Sequence, residues 1–162
     1  YDASKLLVDP YAPRLDRPFA WHPELAEHGC DTAARVPKAI VESRPPAAPT
    51  LPRQAPGFIY EVPVKALTMR HPQVREAIRG TVAALAEPCI VEHILQLGVD
   101  TVELMPLAAW IDERHLSPLG LANAWGYNPV TFLAPDPRLA PGGMAEVRET
   151  VGKLHAAGVR FW

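Results

Sequence analysis

Between Leu107 and Gly143 the chain carries Trp110, Trp125 and Tyr127, whose rings could face a ligand, with the amides of Asn123 and Asn128 among them. Aromatic faces suit the apolar faces of sugar rings, and amides suit their hydroxyls, so a carbohydrate site is one reading of this stretch. The other is that Trp125 and Tyr127 simply pack the segment onto the rest of the protein. Residue type and spacing leave both open.

The remaining reactive groups point to structural work. His22, His28 and Cys30 are close in sequence but match no zinc spacing and lack a second ligand cluster, so no metal site is expected there. Asp112 and Glu113, followed by Arg114 and His115, are too near one another in sequence to clasp a scissile bond as opposed carboxylates do; ion pairing within a loop is expected instead. Glu61 and Glu103 fall on predicted strands, where each either faces substrate or is held by a basic neighbour such as Lys65; the second is expected. Glu92 and His93 belong to the solvated face of a helix. Cys89 beside them has no feature that marks a nucleophile.

The elements that must position these residues are legible from residue 57 onward. GFIYEVPVKALT, GVDTVELMPL and the terminal GVRFW are apolar, β-branched-rich runs bounded by Gly and Pro, which predicts strands buried on both faces, as in a parallel sheet. Pro63 counts against a regular central strand, because it cannot donate to the ladder. EPCIVEHILQLG predicts a helix begun by Pro88 and stopped by Gly98, with Ile90, Val91, Ile94, Leu95 and Leu97 apolar. MAEVRETVGKLHAAG predicts a second, with Val147, Val151 and Leu154 on one face and Gly158 as its stop. Two βα units leading into a third strand build either a doubly wound sheet or a (β/α)8 barrel. No GxGxxG or GxxxxGK[ST] occurs, which disfavours nucleotide binding.

Upstream, PKAIVESRPPAAPTLPRQAP at residues 37–56 reads as a proline-rich linker, since repeated proline removes backbone donors and favours extended chain. Residues 1–36 hold too little apolar material for a core of their own. The net charge of -2 offers no footprint for nucleic acid or anionic lipid, and no apolar run approaches the length of a membrane span. Two cysteines in a chain without a recognisable leader favour the cytoplasm.

IYEVPVKALT, RGTVAALAEP, LGVDTVELMPLAAWIDERHL, GLANAWGYNPVTFLAPDPRLA and LHAAGVRFW, in this order, resemble the opening of the catalytic barrel in bacterial glycogen debranching enzymes and isoamylases of the α-amylase superfamily. The resemblance covers roughly residues 57–162. KLLVDPYA and VPKAIV resemble the end of the amino-terminal carbohydrate-binding module and its connector.

The resemblance implies an α/β fold: the first part of a (β/α)8 TIM barrel, about three strands of it, at residues 57–162, preceded by the tail of a β-sandwich module at residues 1–36. It implies hydrolysis of α-1,6 branch linkages in glycogen or limit dextrin by a retaining double displacement, with no cofactor and no nucleic-acid or membrane partner. Retention needs two carboxyl groups about 5 to 5.5 Å apart, which the family takes from later strands, so no catalytic residue is expected in this chain. Tyr127 carries over as the residue shaping the subsite of the cleaved sugar, with Trp125, Gly126 and Asn128 framing its loop. Pro63 stands where relatives often have His, Ala66 and Leu67 replace a common Gly-Phe, and Ala124 replaces a frequent aromatic, which puts fine substrate preference in doubt. A branching or trehalose-forming activity on the same barrel, or a non-catalytic glucan-binding remnant, are the competing readings. An apolar GVRFW edge left unpaired would make the isolated chain inactive and poorly soluble.

Overall fold

The computed structural model describes residues 2–43 and 57–162. Residues 44–56, most of the proline-rich linker expected at 37–56, lie outside the described residues. The chain divides into two compact units, Tyr1–Val41 with Pro106–Met144, and Glu42–Met105 with Ala145–Trp162. These packing boundaries differ from the divisions read along the sequence, because the long segment after residue 105 shares its unit with the amino-terminal residues.

The second unit holds a parallel sheet of three strands, β1 (Ile59–Val62), β2 (Thr101–Leu104) and β3 (Arg160–Phe161), in the order β1-β2-β3. All three expected strands are present and pair in parallel. The first is shorter than its apolar run. Pro63 has no N–H for the ladder, so the strand ends at Val62 and Pro63 instead caps a short helix, α1 (Val64–Thr68), in which Thr68 Oγ1 donates to Val64 O at 3.0 Å. The chain then crosses two turns of tight helix, Glu76–Ile78 and Val82–Ala86, before α2 (Pro88–Gln96).

Helix α2 begins and ends where its local chemistry requires. Pro88 occupies the first turn, where a missing N–H costs nothing, and Gly98 takes φ 71° past the end while Val99 N donates back to Ile94 O at 3.2 Å. Its Ile90 and Ile94 are fully buried. Leu95, and Leu97 just past the helix end, are about half exposed. Helix α3 (Gly143–Ala156) buries Val147 and Leu154, with Val151 at its margin, and Thr150 Oγ1 donates to Glu146 O at 2.9 Å.

The core of this unit joins Val62, Val102, Val159 and Val99 to Ile90, Ile94 and Leu154, with Tyr60, Leu104 and Phe161 packed at its edge. One face of the sheet thus meets the helices. The opposite face departs from the expectation of strands buried on both sides: Glu61 and Glu103 are register partners there and both are exposed, as is Lys65. The carboxylates are solvated, so no buried basic partner is needed.

Candidate functional site

The aromatic residues singled out from the sequence all belong to the first unit. Its segment Pro106–Met144 turns back on itself: Ala108 bridges Pro135 and Trp110 bridges Pro129, both antiparallel. Backbone bonds Asp136 N to Leu107 O (2.7 Å), Val130 N to Ala109 O (2.8 Å) and Ala109 N to Ala134 O (2.9 Å) close the ladder. Ala109 and Ala134 pack with Ala12 and Leu15 in a small core, and Thr131 Oγ1 donates to Pro10 O at 3.1 Å. Small side chains at these positions let the amino-terminal strand of chain approach the folded-back segment closely.

At the base of the fold-back lies a buried ion pair. Asp136 is completely buried, and Arg138 reaches it with Nε at 2.8 Å and Nη2 at 2.9 Å. The guanidinium stacks 3.9 Å from the centre of the Trp110 ring and donates to Trp110 O at 3.1 Å. Burial lowers the Arg138 pKa, but the hydrogen bond and charge of Asp136, helped by Asp112, outweigh it and hold the group above its ordinary value. Such a pair tolerates burial because both carboxylate oxygens are bonded and the guanidinium makes five hydrogen bonds, two to Asp136, two to Asp112 and one to Trp110 O.

Asp112 lies beyond it, 3.4 Å from Arg138 Nη1, and its Oδ1 accepts Asn123 N at 2.9 Å. Asn123 then organises the tip of the segment. Its Oδ1 accepts both Trp125 N and Gly126 N, each at 2.9 Å, while its Nδ2 donates to Glu113 Oε1 at 2.9 Å. Of the loop ion-pair role expected for Asp112 and Glu113, Asp112 shows it, with Arg138, while Glu113 accepts a hydrogen bond from the neutral amide of Asn123. Arg114 lies 5.4 Å over the Trp21 ring.

Trp125 and Tyr127 flank the buried Gly126 and project outward, 68% and 61% exposed, with ring centres 6.5 Å apart at an interplanar angle of 70°. They do not pack the segment down. Trp110, only 5% exposed, does that. Asn128 is half-buried, and its Nδ2 donates to Ile111 O at 3.0 Å, so this donor holds the loop. Asn123, read from the sequence as able to meet hydroxyls, is likewise committed to the loop's own backbone and to Glu113. The Trp125–Tyr127 pair thus presents two largely exposed rings, set edge to face, on a hydrogen-bonded frame.

The other residues weighed from the sequence do not gather. His28 sits 3.2 Å from Asp2, His22 Nδ1 accepts Glu24 N, and Cys30 Sγ is 4.0 Å from Asp31 O. In the second unit Cys89 Sγ lies 3.8 Å from His71 Nδ1, while Glu92 and His93 are exposed on α2 as expected. Among the described residues no group of three or more His, Cys, Asp or Glu is arranged to hold a metal, and no helix is long and apolar enough to cross a membrane. Sequence reading missed Arg138 and Asp136. The one available signal was the Asp136-Pro137-Arg138 triplet itself, an acid and a base two residues apart across a proline that stiffens the turn.

The fold matches part of solved pullulanases and part of a catalytic module from a glycogen-degrading virulence factor. A pullulanase from Anoxybacillus sp., solved with maltotetraose, superposes with a TM-score of 0.66 at 24% identity, covering 96% of this chain and 23% of that one. The catalytic module of a glycogen-degrading pneumococcal virulence factor gives 0.67 at 19% identity, covering 96% and 24%. No protein-family model matches the chain.

In sequence the chain is homologous to bacterial glycogen debranching enzymes. That of Yersinia enterocolitica is 38% identical over 175 aligned positions, covering 98% of this chain, and that of Salmonella heidelberg is 39% identical over 174, again covering 98%. The chain spans about a quarter of the length of these curated relatives, 26% in both cases. The resemblance to glycogen debranching enzymes stated from the sequence blocks is borne out.

Proposed function

We propose that this chain is the opening part of a glycoside hydrolase that cleaves α-1,6 branch linkages in glycogen or its limit dextrins. The observation that carries this reading is the similarity along 98% of the chain to glycogen debranching enzymes, joined to an exposed aromatic pair where that resemblance puts a sugar subsite. The parallel strands β1 to β3 are the first strands of a (β/α)8 barrel, residues 1–36 close a preceding carbohydrate-binding module, and residues 37–56 connect the two. The protein works in the cytoplasm, on a polysaccharide and not on nucleic acid or membrane.

In this reading Tyr127 stacks on and shapes the subsite of the cleaved sugar, Trp125 contributes a second face, and Asn128 holds the loop that presents them. Their work is binding and orientation, which raises the rate by setting the glycosidic bond against the reacting groups. The bond is broken by two carboxyl groups about 5 to 5.5 Å apart, one as nucleophile and one as acid then base, carried on later strands of the barrel. No redox or nucleotide cofactor takes part.

The test is Tyr127→Ala in the protein made from the complete reading frame that holds these residues, assayed for release of linear chains from limit dextrin. Loss of a ring stacked on sugar lowers kcat/KM by about tenfold or more. Unchanged kcat and KM would remove Tyr127 from the site.

A further inference from the structure

We infer that Asn123 is the positioning residue that aims the Trp125–Tyr127 pair, and that Asp112 and Arg138 lock it in place. The inference rests on the reading of that pair as a glucan-binding platform and adds the device that sets its geometry.

One oxygen, Asn123 Oδ1, accepts the N–H groups of Trp125 and Gly126 at 2.9 Å each. Two successive backbone donors on one acceptor fix the direction in which the chain leaves Ala124, and so where the indole and phenol point. Both rings are largely exposed, so their direction follows from the backbone of this turn, which Asn123 holds before the pair and Asn128 Nδ2 to Ile111 O holds after it. Asn123 is itself held at both ends, its backbone N–H by Asp112 Oδ1 and its Nδ2 by Glu113 Oε1.

Behind Asp112 stands Arg138, whose guanidinium is clamped by buried Asp136 and by the face of Trp110. Gly126 closes the circuit by resting on that same Trp110 ring. The exposed pair is thus tied through Asn123, Asp112 and Arg138 to the buried Asp136, which is how a surface loop can present rings without losing affinity to loop entropy.

The experiment compares three variants of the complete protein in glucan-binding titrations followed by tryptophan fluorescence and by retardation in glycogen-containing native gels. Asn123→Ala removes the shared acceptor and weakens branched-glucan affinity about tenfold. Asn123→Asp combined with Glu113→Gln reverses the donor and acceptor between these two side chains, keeps the shared oxygen, and returns affinity to within about threefold of the parent. Tyr127→Ala reports on the platform itself.

If Tyr127→Ala weakens binding and Asn123→Ala does not, the positioning role is wrong while the platform stands. If neither weakens it, the platform reading fails and the inference with it. Weak binding by Asn123→Ala that the reversed pair does not restore overturns the inference in favour of a general loss of fold. Should Asn123→Ala not fold, the reversed pair decides alone: parent-like affinity supports the role and lost affinity overturns it.

Discussion

Gly126 rests against the indole of Trp110 so closely that a Cβ there would lie 3.3 Å from ring carbon Cε3 and 3.2 Å from Pro106 O. Its φ of 79° is also one that L side chains rarely adopt. The exposed pair Trp125 and Tyr127 is therefore mounted on a contact that any larger residue would make only with strain.

Gly126→Ala is expected to cost about 1–2 kcal/mol from the left-handed backbone alone. The crowding against Trp110 adds to it by pushing the loop outward. Thermal unfolding reads the first effect and glucan titration the second, with affinity falling more than for a loop-surface change such as Ala124→Ser.

Arg138→Met leaves the carboxylate of Asp136 fully buried without its partner. The loss is expected to be about 3 kcal/mol in urea unfolding. Asp136→Asn in the same protein removes the stranded charge and recovers part of it, a non-additivity that a double-mutant cycle measures directly. Equal and additive losses would mean that the two side chains act independently.

Ile94 is fully buried between the sheet and the helices of the second unit. Ile94→Ala is expected to destabilise by about 2–5 kcal/mol, while Leu95→Ala, one residue on but about half exposed, costs much less. The pair of variants checks which stripe of α2 faces inward, and reversal of the order would place the helix wrongly rotated.

Arg75 donates to Glu87 Oε1 from Nη2 at 2.8 Å and from Nε at 3.2 Å, and this hydrogen bond holds the Glu87 carboxyl below its ordinary value of 4.5. A depressed carboxylate contributes stability above its unfolded pKa and loses it as pH falls through the folded one. Acidification from about pH 5 to pH 3 is therefore expected to destabilise the parent more than Arg75→Ala, and the difference shrinks at high salt because Arg75 is exposed. Parallel acid-denaturation curves would remove the ion pair from the account.

Residues that act on their own neighbours were readable in advance. Pro88 and Gly98 bound α2 because a missing donor and a positive φ are local matters, and three apolar runs became three parallel strands. Pro63 was read as a weakness in a strand, and it proved to be the strand's end, again for the local reason that it has no N–H. Trp125 and Tyr127 could be singled out by type, but two uses for them stayed open.

What tertiary structure decided is which aromatic is anchor and which is surface. Trp110, Trp125 and Tyr127 are alike as sequence, yet Trp110 is buried under Arg138 and the other two project, because the fold-back brings residues 128–136 alongside 107–111. The same pairing across 26 residues joins Asp136 to Trp110 N, and no periodicity or local propensity encodes a contact at that distance. Sequence by itself determined the order of the three strands with α2 and α3 between them and the family they resemble, since those follow from neighbouring residues and from the order of blocks. The burial of Trp110 beneath Arg138 and its contact with Asp136 came from long-range packing, in which each side chain's role depends on what the rest of the chain sets beside it.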